Sequence, residues 1–376
     1  MRTITPRRSV TGIILAIVVA GCGRDEGVPG SPSSAPTAGP AKVKVAYLGL
    51  TCEAAMFVAE EKGFFKDEGL AVELVKTDWD GLRDGLGLGR FDANYTLIMY
   101  LLKPIENGLD VRITGGVHSG CLRVQAGVKS EIKSPRDLKG KRIGVPTHLG
   151  SPPFLFTSRV LAANGMDPKK DVEWVVLPPD VLGLAVDKGQ VDAVCDSEPI
   201  GSILLAQGKV RTIADQAEDP PYKDEYCCAV VVSGALAKRD PASAARVTRA
   251  LLKGARWTEA NPTAAAKLSV EKKYISASVE VNAQAISKLK YMPGIARCRT
   301  SLDLAAAEMK TAGLLKPDTN PSELAARAWL DLEGVSDDWI KGLKVESVAG
   351  GGPAVPDAGV LAACSIGGVR TCCDHD

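Results

Sequence analysis

The sequence predicts an α/β protein of two lobes, each a parallel-rich sheet flanked by helices. Strand-like runs alternate with helix-like runs twice along the chain, as expected of parallel sheets that are covered on both faces. A Gly-x-x-Asp-Ala segment occurs once in each run, at residues 89–93 and 189–193. The body, residues 42–347, is long enough to bury two hydrophobic cores.

The predicted elements follow this alternation in order. In the first run, strands are predicted at residues 43–48, 72–75, 92–96, 111–114 and 122–126, with helices at 53–65 and 80–88. In the second run, strands are predicted at residues 142–145, 172–176, 192–194 and 211–213, with helices at 153–164 and 181–188. From about residue 240 the pattern is almost wholly helical, at residues 241–261, 262–274, 279–290 and 301–311. We therefore assign residues 42–133 and 233–347 to lobe one and residues 134–232 to lobe two.

The first 22 residues have the pattern of an export signal. Arg2, Arg7 and Arg8 precede an apolar run that would extend about 16 Å as a helix, roughly half of a bilayer core. The run ends in Ala20-Gly21-Cys22, which resembles the lipobox of bacterial lipoproteins. The resemblance implies cleavage before Cys22, lipidation of its thiol, and an exported protein anchored to a membrane. A cleaved secretory peptide with an incidental cysteine is the alternative.

Two low-complexity segments flank the body. Residues 23–41 are rich in Pro, Ser and Gly and are predicted to form a flexible tether. Residues 348–376 form a Gly/Pro spacer followed by a Cys-rich tail with Cys364, Cys372, Cys373 and His375. The tail composition fits metal chelation by Cys372, Cys373 and His375, or an unstructured end with one disulfide.

Composition excludes some classes of function. The formal net charge is +1, whereas a nucleic-acid-binding protein normally carries a clustered basic excess. Aromatic residues make up 5% of the chain, so stacking platforms for sugars are not expected.

Four features carry a family resemblance. They are residues 57–75 (FVAEEKGFFKDEGLAVELV), the two Gly-x-x-Asp-Ala segments, residues 132–168, and residues 251–268 (LLKGARWTEANPTAAAKL). They resemble the periplasmic solute-binding proteins of ABC importers, and within them the group for nitrate, sulfonates, bicarbonate and thiamine precursors. The resemblance implies the type II periplasmic-binding-protein fold with a hinge between its two lobes, a small-molecule solute, and an ABC importer permease as partner. We also expect no cofactor, no enzymatic activity and no nucleic-acid partner. The resemblance also implies a location in the periplasm or at the cell exterior.

Ligands of open α/β sheets bind outside the carboxyl ends of the strands, which selects the candidate site. Asp92 and Asp192 begin strands, so we expect them to hydrogen-bond there and not to contact ligand. The loop at Thr147 and Ser151 leads into a helix and would offer hydroxyl and N–H groups to an anion. The candidate ligand-binding residues are Thr51, Cys52, Asn94, Tyr95, Thr96, His118, Ser119, Cys121, Thr147, His148, Ser151, Cys195, Asp196, Glu198, Tyr226 and Cys228. Trp79 is a further candidate to cover a ligand face.

The cysteines of the body leave three interpretations open. Disulfides are the default in an exported protein, with Cys52–Cys121 or Cys195 to Cys227 or Cys228 as possible pairs. A thiol-lined cleft could instead bind a soft metal, a metalloid or a sulfur-containing molecule. The cysteines could also be buried as small apolar residues. A thiamine-precursor-synthase-like enzyme using Cys121 and His118 is a further alternative, for which an i,i+3 pair in a loop is weak support.

Overall fold

The computed structural model describes residues 39–350, which form two mixed β-sheets flanked by helices. The strands are β1 Ala41–Tyr47, β2 Leu70–Lys76, β3 Ala93–Leu97, β4 Val111–Ser119, β5 Leu122–Gly127, β6 Arg142–Pro146, β7 Glu173–Leu177, β8 Ala193–Ser197, β9 Val210–Asp215, β10 Cys228–Ser233 and β11 Lys290–Gly294. The helices are α1 Ala54–Glu61, α2 Phe64–Asp67, α3 Trp79–Gly87, α4 Ile98–Glu106, α5 Pro152–Ala163, α6 Leu182–Asp187, α7 Ile200–Ala206, α8 Gly234–Arg239, α9 Pro241–Ala260, α10 Pro262–Glu271, α11 Val279–Lys288, α12 Ala296–Thr311, α13 Pro321–Ala328 and α14 Asp337–Lys341. Within the described part, no helix is long and apolar enough to cross a membrane.

The sheets contain parallel and antiparallel pairs in nearly equal number. The first sheet has the order β11-β4-β10-β3-β1-β2, and only β1–β2 and β1–β3 pair in parallel. The second has the order β7-β6-β8-β5-β9, and only β6–β7 and β6–β8 pair in parallel. The α/β class is confirmed, but the sheets are mixed and not parallel-rich as expected. One strand enters each sheet from a crossover, β10 in the first and β5 in the second, and runs antiparallel to both of its neighbours.

The chain passes between the sheets at two places that differ from the predicted boundaries. The first crossover is the short Gly120–Cys121 connection between β4 and β5, because β5 pairs with β8 and β9 of the second sheet. The second lies between β9 and β10, because β10 pairs with β3 and β4 of the first sheet. The predicted limits at residues 133/134 and 232/233 place both strands in the wrong sheet. A strand pattern shows which face is apolar but not which sheet supplies the partner.

The region after residue 240 is helical as predicted, with one exception. β11 lies in this region and pairs with β4 through Tyr291 and His118. Its sequence, KYMPG, is short and contains a proline, which is tolerated in an edge strand and hides the strand from pattern analysis.

The two Gly-x-x-Asp-Ala segments have the same local structure. Gly89 and Gly189 follow α3 and α6 with φ of +69° and +64°. Asp92 Oδ2 then accepts the Lys44 N–H of β1 at 2.9 Å, and Asp192 Oδ2 accepts the Arg142 N–H of β6 at 2.9 Å. The prediction that these aspartates hydrogen-bond at strand starts is confirmed. Each carboxylate fixes where β3 or β8 begins, and therefore which residues reach its carboxyl end.

The signal segment, Cys22, the tether to residue 38 and the tail with Cys364, Cys372, Cys373 and His375 lie outside the described residues, so their predictions stay predictions.

Candidate functional site

A cavity of about 130 Å³ lies where the carboxyl ends of strands from the two sheets meet. Leu50, Cys52, Trp79 and Leu97 line it from the first sheet's side, and Cys121 lies at the crossover. The second sheet's side contributes Leu122, Pro146, Thr147, Ser151, Pro152, Pro153, Pro179, Ser197, Glu198 and Ile200. No Lys, Arg or His belongs to this lining among residues 39–350. The cavity is mostly apolar and lacks a cationic side chain that could pair with an anion.

The loop before α5 provides few donors. Pro152 and Pro153 occupy the first two positions of the helix and have no N–H groups. The amides of Thr147, His148 and Ser151 already donate to the carbonyls of Leu177, Pro146 and His148. The Ser151 hydroxyl is buried and has no hydrogen-bond partner among the described residues. This helix end therefore offers an anion fewer N–H donors than expected, and the Ser151 hydroxyl is its unpartnered buried donor among the described residues.

The second sheet meets the cavity with charges that are neutralised within the protein. Arg123 of β5 pairs with Glu198 at 2.5 Å and with Asp215 at 2.8 Å, and all of these side chains are largely buried. Asp196 of β8 is fully buried, and burial raises its pKa well above its ordinary value. Glu198 therefore lines the cavity as half of an internal ion pair.

The first sheet contributes thiols, and Glu53 positions the first of them. The Glu53 carboxyl group accepts the backbone N–H groups of Leu48, Gly49 and Leu50 at 2.9, 2.7 and 2.9 Å. Burial raises its pKa to about 8 against these three hydrogen bonds. The bonds hold the turn after β1 and place Cys52 at the cavity wall. Tyr291 of β11 secures the same turn by donating its hydroxyl proton to the Cys52 carbonyl oxygen at 2.9 Å.

Five side chains at this wall and behind it form what we call the cysteine cluster: Cys52, His118, Cys121, Cys227 and Cys228. The ligand atoms of Cys52, His118 and Cys228 all lie within 4.8 Å of one another, and so do those of Cys121, Cys227 and Cys228. Cys228 therefore joins two groups of three. The Sγ atoms of Cys121 and Cys227 are 2.9 Å apart. All six cysteines of the described part are free thiols, so the predicted disulfides are absent there.

The cluster is buried but adjoins the cavity. Cys52 and Cys121 are 7% and 5% exposed, and the other three members are at most 1% exposed. His118 Nδ1 lies 3.3 Å from the Ser119 carbonyl oxygen, to which its N–H can donate. Nε2 of the same ring is buried and has no hydrogen-bond partner among residues 39–350. This nitrogen can accept a proton or coordinate a metal ion.

The thiols influence one another's ionisation. A hydrogen bond from Cys228, opposed by burial and assisted by His118, lowers the pKa of Cys52 to about 7. Burial raises the pKa of Cys227, but hydrogen bonds from Cys121 and Cys228 outweigh burial and lower this pKa to about 6. The pKa of Cys228 is raised well above its ordinary value, chiefly by burial. The cluster therefore contains thiols that ionise near neutral pH beside thiols that stay protonated, and thiolates are the form that binds metal.

The other candidate residues are divided between the cavity and the sheets. Thr51, Asn94, Tyr95, Thr96 and Ser119 are buried beside the cluster elements, and Asn94 donates its amide to the Ala46 carbonyl at 2.6 Å. Cys195 lies inside the second sheet, where its thiol donates to the Gly144 carbonyl. Tyr226 does not line the cavity, because its hydroxyl donates to Met292 and its ring covers Gly116. His148 is partly exposed, and Thr147 Oγ1 lies 3.2 Å from its Nδ1.

Sequence reasoning named Cys227 among the thiols of the cleft but left it out of the ligand-binding residues, and it missed Tyr291. Cys227 joins the cluster beside Cys228. Tyr291 packs its ring 5.1 Å from His118 and holds Cys52, but it lies in β11, whose pattern is not strand-like. No local signal marks it.

Comparison with known proteins places the chain in a family. Residues 37–275 match the NMT1-like family, which is more than half of the sequence. The chain is 28% identical over 267 residues to the nitrate/nitrite binding protein NrtA of Synechococcus elongatus, covering 63% of this chain and 60% of that relative. It is 26% identical over 260 residues to the bicarbonate transport ATP-binding protein CmpC of the same species, covering 63% of this chain and 39% of that relative. The chain thus spans less than two thirds of the length of either relative.

The fold has close structural neighbours. The periplasmic aliphatic sulphonate binding protein SsuA of Escherichia coli superposes with a TM-score of 0.64 at 18% identity, covering 77% of this chain and 98% of that one. At this identity the likeness concerns the fold, and it confirms the expected two-lobe periplasmic-binding-protein architecture. By its matched sequence and by this architecture, the chain belongs to the NMT1-like family.

Proposed function

We propose that this protein is the extracytoplasmic solute-binding component of an ABC importer, which captures a small solute between its two lobes and delivers it to a membrane permease. The observation that carries the proposal is the cavity between the carboxyl ends of the two sheets, lined from both sides. The relatives described above are named for binding and for transport, which supports capture over catalysis. Export and a lipid anchor at Cys22 belong to the same proposal and rest on the signal-like first 22 residues.

The cavity lining bears on the class of solute. An oxyanion that leaves water needs cationic groups or convergent N–H donors in return. The lining has no Lys, Arg or His, and α5 begins with two prolines. This chemistry favours a solute of low charge or a soft solute over nitrate, a sulfonate or bicarbonate.

Binding can be tested directly on the purified protein. Native mass spectrometry identifies any small molecule that co-purifies, and a panel of nitrate, bicarbonate, alkanesulfonates and thiamine precursors is screened by thermal unfolding. A ligand raises the melting temperature by mass action. It should also reduce the radius of gyration in solution scattering, because hinge closure buries it. A confirmed ligand that leaves the radius of gyration unchanged would refute capture by closure.

A variant links the ligand to this cavity. Thr147 lines the cavity and is exposed, so Thr147→Trp should weaken binding of the identified ligand at least about tenfold without unfolding the protein. Ser151 is buried and is unsuited to this test. The matched control is Ser287→Trp, which places the same bulk on the exposed side of α11. Equal binding by the two variants would place the ligand elsewhere.

A further inference from the structure

We propose that the cysteine cluster is a binding site for a thiophilic d10 metal ion, Cu(I) or Zn(II), with Cys228 as the shared ligand and entry through the interlobe cavity. The site rests on the geometry of the cluster and does not require an importer, so it and the proposed solute capture can fail separately.

The ligand set fits this class of ion. Thiolate and imidazole groups are the ligands that Cu(I) and Zn(II) prefer, whereas hard ions such as Mg²⁺ and Ca²⁺ prefer oxygen. Zinc–thiolate bonds of about 2.3 Å require sulfur atoms to lie roughly 4 Å apart. Both groups of three, Cys52–His118–Cys228 and Cys121–Cys227–Cys228, lie within 4.8 Å. Small side-chain movements therefore bring three donors to one ion.

His118 supplies an independent indication of a ligand. Its Nε2 is fully buried without a hydrogen-bond partner in the described part of the chain, although an unpartnered buried polar atom is costly. Its Nδ1 faces the Ser119 carbonyl oxygen, the arrangement that orients metal-bound histidines. An ion bound to Nε2 would satisfy this atom.

Access and charge agree with this assignment. Cys52 and Cys121 both line the cavity, so an ion in the cavity meets these two thiols first. Each cysteine ligand that is still protonated releases its proton to solvent on binding. No Lys or Arg lines the cavity, and a cation therefore meets no repulsion there.

The test uses the full chain after the possible metal ligands near its two ends have been substituted. The background variant carries Cys22→Ser, Cys364→Ser, Cys372→Ser, Cys373→Ser and His375→Asn. Under anaerobic, reducing conditions it is titrated with Cu(I) against a competing chelator, and separately with Zn(II) against a chromophoric chelator. We expect saturable binding of at least one of the two ions. X-ray absorption should show sulfur ligands, and Cu(I) should add a thiolate charge-transfer band in the near ultraviolet.

Matched variants locate the ion. Cys228→Ser removes the ligand that the two groups share, and we expect affinity to fall more than about 100-fold, beyond what loss of an outer-shell partner causes. Cys195→Ser and Cys298→Ser are the controls, because both thiols are fully buried and lie outside the cluster. These controls should retain the affinity of the background.

A measurement without cluster substitutions guards against misfolding. The metal-loaded and metal-free background proteins are labelled briefly with a thiol reagent while folded, then unfolded and alkylated with a second reagent. Peptide mass spectrometry should show that metal protects Cys52 and Cys121 from the first reagent. Three results would each overturn the proposal: neither ion binds, Cys228→Ser binds as tightly as Cys195→Ser, or the exported protein contains a Cys121–Cys227 disulfide.

Discussion

In both sheets a helix ends at a glycine and leads through an aspartate into a buried strand, yet β3 and β8 carry different chemistry to their carboxyl ends. β3 delivers Asn94, Tyr95 and Thr96, which are neutral and lie beside the cysteine cluster. β8 delivers Asp196 and leads to Glu198, next to Arg123. The shared start fixes strand register, which any sheet of this kind needs. The divergent ends lead to the cavity and to the cysteine cluster, where the shared fold does not require the same side chains.

The largest difference between the two ends should appear in stability. Arg123→Met leaves Glu198 and Asp215 buried without their counter-charge, and we expect a loss of about 3–5 kcal/mol in the free energy of unfolding. On β3, Thr96→Val removes a buried hydroxyl that has no hydrogen-bond partner in residues 39–350. This substitution should change the free energy of unfolding by less than about 1 kcal/mol. Urea unfolding monitored by circular dichroism measures both. Equal losses would show that Arg123 does not stabilise the fold by neutralising Glu198 and Asp215.

The two glycines that begin the shared motif should not respond equally to substitution. Both have positive φ, so an alanine at either position costs about 1–2 kcal/mol. A Cβ at Gly189 meets no atom within 4 Å, whereas a Cβ at Gly89 would lie 2.8 Å from the Cβ of Ala235. Gly89→Ala should therefore cost about 1–3 kcal/mol more than Gly189→Ala, because α8 must shift. The same unfolding assay tests this order, and the reverse order would contradict the packing described here.

The smallest effect concerns the Asp192 carboxylate. Burial raises its pKa, but hydrogen bonds from the Arg142 side chain and backbone outweigh burial and hold the pKa below the ordinary 3.8. A carboxylate with a lowered folded-state pKa stabilises the protein fully above its unfolded-state pKa, and this stabilisation is lost as pH falls through the folded-state pKa. The gap in unfolding free energy between wild type and Asp192→Asn should thus be constant near neutral pH and narrow below about pH 4. A gap that widens in acid would contradict this linkage.

Features that depend on repeated or periodic patterns of nearby residues could be predicted from the sequence. The two motifs, most strands and the late helices follow from patterns within short windows, and so does the placement of Cys52, Cys121 and Cys228 in loops or at strand ends. The sheet to which β5 and β10 belong did not follow, because pairing depends on partners far along the chain. The contributions of Tyr291 and of the Arg123 ion pairs were missed for the same reason: each is created by contacts between segments that are distant in sequence.

One consequence concerns Cys121, which lies in the short connection between the sheets and has a φ of +151°, an uncommon value for a residue with a side chain. A rotation that turns β5 against β4 acts on the same backbone bonds that carry this sulfur. A change in the angle between the two sheets at this connection would therefore also move the Cys121 sulfur. An ion or a disulfide bond that held this sulfur would in turn restrict rotation at this crossover.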